Sequence, residues 1–116
     1  MITVISDPRY HITKKNIKQY SSTVLQSLGF SDDVELNIIF IGKRKMKTIA
    51  SKFVNEDTAL PVLSFPYLDD KNAQNKLMGE IFICYPQVLL LAAEREKKVM
   101  TMIENLIVHG INNLVK

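Results

Sequence analysis

The 116-residue sequence contains little that could cross-link the chain or embed it in a membrane. Cys84 is the only cysteine, which excludes a disulfide framework and a cluster of thiolate metal ligands. No apolar run approaches the roughly 20 residues that span a bilayer, and the N-terminus shows no basic region followed by an apolar core and a cleavage site. We also find no internal repeat and no low-complexity segment. We therefore expect a soluble protein of the reducing cytoplasm that makes no contact with a membrane.

The composition predicts a single domain over residues 1–116. Apolar residues make up 47% of the chain and charged residues 23%, which is near the average of globular proteins. A chain of this length can bury a core without covalent staples. The 15 basic and 12 acidic residues leave a net charge of +3. So small an excess permits a nucleic-acid partner but does not indicate one.

The apolar patterns predict eight elements in the order β-α-β-α-β-β-α-α. We expect strands at residues 2–5, 34–41, 61–66 and 79–84, helices at 13–28, 43–54, 87–95 and 99–116, and a surface loop at 69–76. The third strand has a proline at each end, and proline donates no hydrogen bond to a neighbouring strand, so this strand should lie at a sheet edge. The sequence therefore predicts an α+β (α/β-like) fold with a single mixed sheet of about four strands and helices packed against it.

The predicted helix at residues 43–54 carries five cations on its outer side. Such a set could bind RNA phosphates electrostatically. A plain solubilising surface is the alternative, because no aromatic or glycine-rich platform is interleaved with the cations. Phe53 falls on the buried side in this pattern, as Leu28 does in the first helix. The five cations are Lys43, Arg44, Lys45, Lys47 and Lys52.

The predicted last helix places a polar ridge beside an apolar stripe. The ridge consists of Asn105, His109 and Asn113, which recur every four residues. Two explanations are open: a hydrogen-bonded seam at the edge of the core, or the remains of a metal site. The other histidine, His11, lies in a polar turn without an evident partner. Cys84 is expected to be a small buried residue, since no base lies near it in sequence.

Three sequence blocks resemble the YbeY-type rRNA-maturation endoribonucleases. They are Val-Leu-Ser-Phe-Pro at Val62–Pro66, Leu-Met-Gly-Glu-Ile-Phe-Ile at 77–83 and Ile-Val-His-Gly at 107–110. The resemblance covers essentially the whole chain. It implies cleavage of single-stranded RNA, with rRNA or the ribosome as partner, and a zinc site in the pattern His-Gly-x-x-His-x-x-x-x-x-His. On this resemblance His109 is the catalytic residue and a zinc ligand, and the other block matches are Ser64, Phe65, Gly79, Glu80 and Gly110.

The sequence departs from the family pattern at several functional positions. Asn113 occupies the position of the second histidine, and a neutral amide oxygen is a poor zinc donor. The third histidine would fall ten residues after His109, beyond Lys116. The family arginine ten residues before Ser64 is replaced by Val54. If a zinc site exists, we expect His109 with Asn113 as a weak second ligand.

Three hypotheses about function follow from this sequence. The first is a divergent YbeY-like endoribonuclease, and the second is a catalytically inactive homologue that binds RNA or the ribosome through the same scaffold. The third is a small domain that works through protein partners, with the apolar surface of the last helix as a dimer interface.

Overall fold

The computed structural model describes the protein at residues 1–31, 33–66 and 77–115. Its elements follow the predicted order. They are β1 (Ile2–Ile5), α1 (Lys14–Ser27), β2 (Glu35–Ile41), α2 (Lys43–Phe53), β3 (Val62–Pro66), β4 (Leu77–Cys84), α3 (Tyr85–Glu94) and α4 (Val99–Leu114). The loop predicted at 69–76 lies outside the described residues.

The strands form one mixed sheet in the order β1-β2-β4-β3. β1, β2 and β4 are parallel, whereas β3 runs antiparallel to β4. The predicted α+β fold is thereby confirmed. The edge position predicted for β3 is also confirmed, and at an edge the missing N–H of proline is tolerated because one side of the strand has no neighbour. β2 is central, and a central strand covered on both faces is expected to be apolar along most of its length.

The helices cover both faces of the sheet. Alternate residues of the strands, among them Ile38 and Ile81, pack with α1, α3 and α4 in the main core. On the opposite face Ile41 and Cys84 pack with Met46 of α2. α2 and α4 therefore lie on opposite faces of the sheet. Cys84 is buried as predicted, and burial raises the pKa of its thiol.

Two apolar residues that the helical pattern placed in the core are exposed. Leu28 is 44% exposed and Phe53 is 60% exposed. Leu28 follows the last residue of α1, where the chain turns at Gly29 with a φ of +90°. Phe53 is the last residue of α2 and reaches the edge strand β3, so no further strand lies beyond it. The apolar periodicity predicts which side of a helix faces the core, but it does not show where along the helix the sheet that covers this side ends.

α4 is the longest helix in the described part of the chain, with 16 residues. Its buried side includes Ile103, Leu106, Ile107 and Ile111, which pack in the main core. These apolar residues, which motivated a dimer interface, are thus buried in the main core with the sheet, α1 and α3. None of the helices within the described ranges is both long and apolar enough to cross a membrane.

Candidate functional site

Two residues from separate sequence blocks join β3 to α4. The hydroxyl of Ser64 donates a hydrogen bond of 2.9 Å to the backbone carbonyl of Gly110. A Cβ on Gly110 would lie 2.9 Å from Cγ2 of Ile81, a separation that real Cβ atoms almost never show. Glycine therefore lets α4 approach β4 closely, and the Ser64 hydroxyl fixes the helix along the sheet. These contacts position the last turns of α4, which carry His109.

Gly79 makes a second close junction at the same end of the sheet. Its φ is +153°, and a Cβ there would lie 2.3 Å from the carbonyl oxygen of Phe65 and 2.9 Å from Cδ2 of Leu114. Both the backbone conformation and the space thus require glycine. Ser64, Phe65, Gly79 and Gly110 are brought together by the fold, and their contacts hold β3, β4 and α4 in place.

Glu80 takes a different direction from its neighbours in the motif. It is half-buried and pairs in register with Phe65 on β3 and with Asn37 on β2. Because side chains alternate along a strand, Glu80 lies on the face opposite to Ile81, which contacts Gly110. The structure therefore places Glu80 on the α2 side of the sheet, away from α4.

The polar ridge of α4 faces outward and is not a seam. Asn105, His109 and Asn113 are all exposed. Of the two explanations for the ridge, a seam at the edge of the core does not fit these exposed side chains. The cause is the breadth of the buried side of α4, because two adjacent residues in each turn, such as Met102 with Ile103, are buried. The ridge is left on the solvent side.

The donor set at the ridge does not fit zinc. A zinc site in a protein uses three or four nitrogen, sulfur or oxygen ligands in tetrahedral geometry. Across residues 1–31, 33–66 and 77–115, no group of three or more His, Cys, Asp or Glu side chains could hold a metal ion. His109 and Asn113 supply one imidazole and one amide. These two donors are too few for a tetrahedral zinc site.

The N-terminal turn of α2 concentrates positive charge. Lys43, Arg44 and Lys45 are exposed and follow Gly42, which offers no side-chain cap, and the first turn has no acidic residue. A helix N-terminus has unpaired backbone N–H groups and a partial positive charge. The three cations add to that charge where acidic residues would neutralise it. This end of α2 is consequently favourable to anions.

The other two cations of α2 continue the charged surface. Lys47 and Lys52 are exposed. Lys47 Nζ lies 3.8 Å from Oδ1 of Asp57, and both side chains are mostly exposed, so this pair contributes little. All five predicted RNA-binding cations therefore lie on one solvent-facing element.

A shallow cavity of about 620 Å³ lies where β2 ends and α2 begins. Its wall includes Lys43 and Arg44, together with Asp7, Arg9 and Tyr10 from the segment after β1. Arg9 donates to both carboxylate oxygens of Asp7, at 3.0 and 2.8 Å. These hydrogen bonds lower the pKa of Asp7 to about 2. The Tyr10 ring stacks on Tyr85 with 4.5 Å between centroids, which fixes this wall to the start of α3.

Sequence reasoning missed one exposed aromatic residue in the charged surface. The Phe53 ring lies 5.5 Å from Nζ of Lys52 and 5.4 Å from the ring of Phe65. The available signal was its position as the last apolar residue of the helical pattern. The cations of α2 thus have an aromatic neighbour, contrary to the expectation from the sequence.

The sequence of this chain is similar to proteins of one known family. A family model described as endoribonuclease YbeY matches residues 5–115. A protein named endoribonuclease YbeY from Thermodesulfovibrio yellowstonii is 32% identical over 80 residues, which are 69% of this chain and 50% of the relative. One of the same name from Finegoldia magna is 30% identical over 92 residues, 79% of this chain and 60% of the relative.

A solved structure shows the same fold. The solution structure of a Thermotoga maritima protein matches with a TM-score of 0.68 and 22% identity, over 100% of this chain and 73% of that one. The matched part of this chain covers 50% of the length of the Thermodesulfovibrio yellowstonii relative and 60% of the length of the Finegoldia magna relative.

Proposed function

Since this chain belongs to the YbeY endoribonuclease family, we propose that it acts in rRNA maturation, on single-stranded RNA. The observation that carries the proposal is the family match over residues 5–115. The contacts among Ser64, Gly79 and Gly110 support it, because residues of all three resembling blocks meet at one place in the fold. The substrate, the ribosome as partner and a cytoplasmic location are parts of this proposal.

α2 supplies the RNA contact in this proposal. Its five exposed cations would neutralise backbone phosphates, and its N-terminus would add free N–H donors to a bound phosphate. Phosphate contacts of this kind position the nucleic acid without reading its sequence. The single strand would then be selected by groups other than these cations.

The catalytic version of the role depends on His109. The family is metal-dependent, with zinc as the implied metal, and a metal-bound water would supply the nucleophile or base for phosphodiester cleavage. His109 matches the first ligand position, and Asn113 replaces the second. Because these two donors do not fit zinc, catalysis in this chain requires ligands beyond those in the described residues.

The departures at Asn113 and Val54 motivate a binding-only version. An amide in place of an imidazole weakens a metal site, and valine in place of arginine removes a cation that could contact a phosphate. In this version the scaffold and the basic surface of α2 hold RNA or the ribosome without cleaving it.

One set of measurements separates these versions. We would determine the metal content of the purified chain by elemental analysis and assay cleavage and binding of single-stranded rRNA fragments, for wild type and His109→Ala. His11→Ala is the matched control, since His11 is the other histidine and is also exposed. About one zinc per chain, lost with cleavage in His109→Ala alone, would establish the catalytic version. RNA binding without zinc or cleavage would establish the binding-only version. Absence of both binding and cleavage would overturn the proposed function.

A further inference from the structure

The charged surface of α2 ends in a large apolar ring that the fold leaves in solvent. Phe53 is 60% exposed, and the next residue, Val54, is 41% exposed. Single apolar residues are commonly exposed on protein surfaces, so the exposure of this ring gains meaning only from its position. Here the ring lies at the end of the one helix that carries all five predicted RNA-binding cations.

The ring is held in a defined position. It meets Phe65 edge-to-face, with centroids 5.4 Å apart and an interplanar angle of 71°, and Phe65 meets Phe82 in the same way at 5.7 Å. The helix end beneath it is fixed by two hydrogen bonds to the carbonyl of Ala50, from the amides of Val54 and Glu56. A ring ordered in advance loses little conformational freedom when it binds a ligand.

A cation lies over one face of the ring. The ammonium of Lys52 is 5.5 Å from the ring centroid of Phe53, within the range of a cation–π contact. The same ammonium is exposed and can reach a phosphate. Proteins that hold single strands combine these two features, a cationic track for the backbone and aromatic rings for the bases.

We propose that Phe53 is a stacking platform for an unpaired base of single-stranded RNA whose flanking phosphates bind the cations of α2. The proposal rests on the proposed RNA-binding role and adds the residue that selects single strands. In a duplex the base faces are already stacked within the helix, whereas an unpaired base offers a free face to the ring. Every base has such a face, so the platform tolerates sequence variation.

Affinity measurements on three substitutions separate stacking from packing. Phe53→Leu keeps an apolar contact with Phe65 but has no aromatic face, and we expect it to bind single-stranded RNA roughly 5- to 150-fold more weakly than wild type, as Phe53→Ala should. Phe53→Tyr should bind like wild type. Thermal unfolding of each variant is measured alongside, to verify that the protein titrated is folded.

The absence of tryptophan from the sequence allows a direct optical test. Phe53→Trp introduces a single indole at the platform, and Leu28→Trp introduces one at an exposed site after α1, on the other face of the sheet. We expect a short single-stranded RNA to quench the fluorescence of the Phe53→Trp variant, with no quenching for Leu28→Trp. The same strand annealed to its complement should quench neither variant.

The outcomes distinguish this inference from the function on which it rests. Wild-type affinity in a folded Phe53→Leu variant, or equal quenching of both tryptophan variants, would overturn the stacking platform and leave RNA binding intact. Failure of the wild-type protein to bind single-stranded RNA would overturn the RNA-binding role and the platform together.

Discussion

Single glycines determine how closely α4 and β3 approach β4. At Gly79 and Gly110 the space for a Cβ is taken by Phe65, Pro66, Leu114 or Ile81. Both glycines match blocks of the YbeY family, yet neither offers a side chain for chemistry. Their effect on function is therefore indirect, through the position of the α4 turns that carry His109.

Replacing Gly79 by alanine should destabilise the protein strongly. The new Cβ would strain a backbone with φ +153° and clash with the Phe65 carbonyl at 2.3 Å. We expect a loss of roughly 2–4 kcal/mol in the free energy of unfolding, from backbone strain and overpacking combined. Denaturant unfolding measures this loss.

Gly29→Ala is the matched control for that prediction. Gly29 also has a positive φ, of +90°, but nothing lies within 4 Å of its potential Cβ. The Gly29→Ala variant should lose only about 1 kcal/mol in the free energy of unfolding, from backbone strain alone. Equal losses at both positions would contradict the close packing at Gly79.

The hydroxyl of Ser64 should stabilise the junction of β3 with α4. Ser64→Ala removes its hydrogen bond to the Gly110 carbonyl, and we expect a loss of about 0.5–1.5 kcal/mol in thermal or denaturant unfolding. Ser27→Ala is the control, because the exposed Ser27 hydroxyl bonds only to Val24 within its own helix. Alanine favours helix, so Ser27→Ala should be near neutral. A neutral Ser64→Ala would mean that the long-range bond contributes nothing net.

At the scale of elements, most of the positive charge of α2 lies at its N-terminal end, where cations do not stabilise a helix. Cations favour the C-terminus of a helix and disfavour the N-terminus. Lys43, Arg44 and Lys45 occupy the first turn, and only Lys52 occupies the last. Most of the charge of α2 therefore lies where it does not stabilise the helix.

Neutralising the first turn of α2 should separate affinity from stability. The triple variant Lys43→Gln, Arg44→Gln, Lys45→Gln should unfold at an equal or higher temperature than wild type, since it relieves repulsion worth about 0.3–1 kcal/mol per charge. Its affinity for single-stranded RNA should fall. Binding is measured by fluorescence polarisation of a labelled RNA.

A matched triple variant exists on α1, with Lys14→Gln, Lys15→Gln and Lys18→Gln. These lysines are also exposed and also lie in the first turns of their helix, and the net charge falls by the same amount. α1 packs on the other face of the sheet. If both triple variants lose affinity equally, net charge accounts for binding and α2 has no special role.

At the scale of the whole molecule, the sheet separates the basic helix from the ridge with His109. α2 and α4 pack on opposite faces, and the edge strand β3 lies beside both, through Phe65 to Phe53 and through Ser64 to Gly110. An RNA strand that reached both surfaces would pass around β3. The net charge of +3 is small, so attraction for RNA would come from the local charge of α2 rather than from the molecule as a whole.

The salt dependence of RNA affinity should report the number of α2 cations engaged. For single-stranded RNA, each phosphate neutralised contributes about −0.7 to the slope of the logarithm of the binding constant against the logarithm of the salt concentration. If all five cations bind phosphates, the slope contributed by α2 is therefore about −3.5. The α2 triple variant should lower the magnitude of the slope by about 2. A slope near zero would contradict phosphate binding, and an unchanged slope in the variant would place the contacts elsewhere.

Local signals were sufficient for the order and type of the elements. Alternating and helical apolar patterns reflect the repeat of a strand or helix, which each segment carries by itself. The prolines at residues 61 and 66 likewise predicted the edge position of β3, because a missing N–H is a property of the residue. The family blocks identified Ser64, Gly79 and Gly110 as residues of note, and they include His109, whose catalytic role stays a prediction.

The surroundings of those residues were decided only by the tertiary structure. The contact of Ser64 with Gly110 joins residues 46 positions apart, and it exists because α4 packs against the neighbouring strands β3 and β4. The outward direction of Asn105, His109 and Asn113, and the exposure of Phe53, depend on how far the sheet extends under each helix. A repeat of 3.6 residues tells which side chains share a helix face, but what covers that face is a property of segments distant in the chain, and so it arises only when the chain folds.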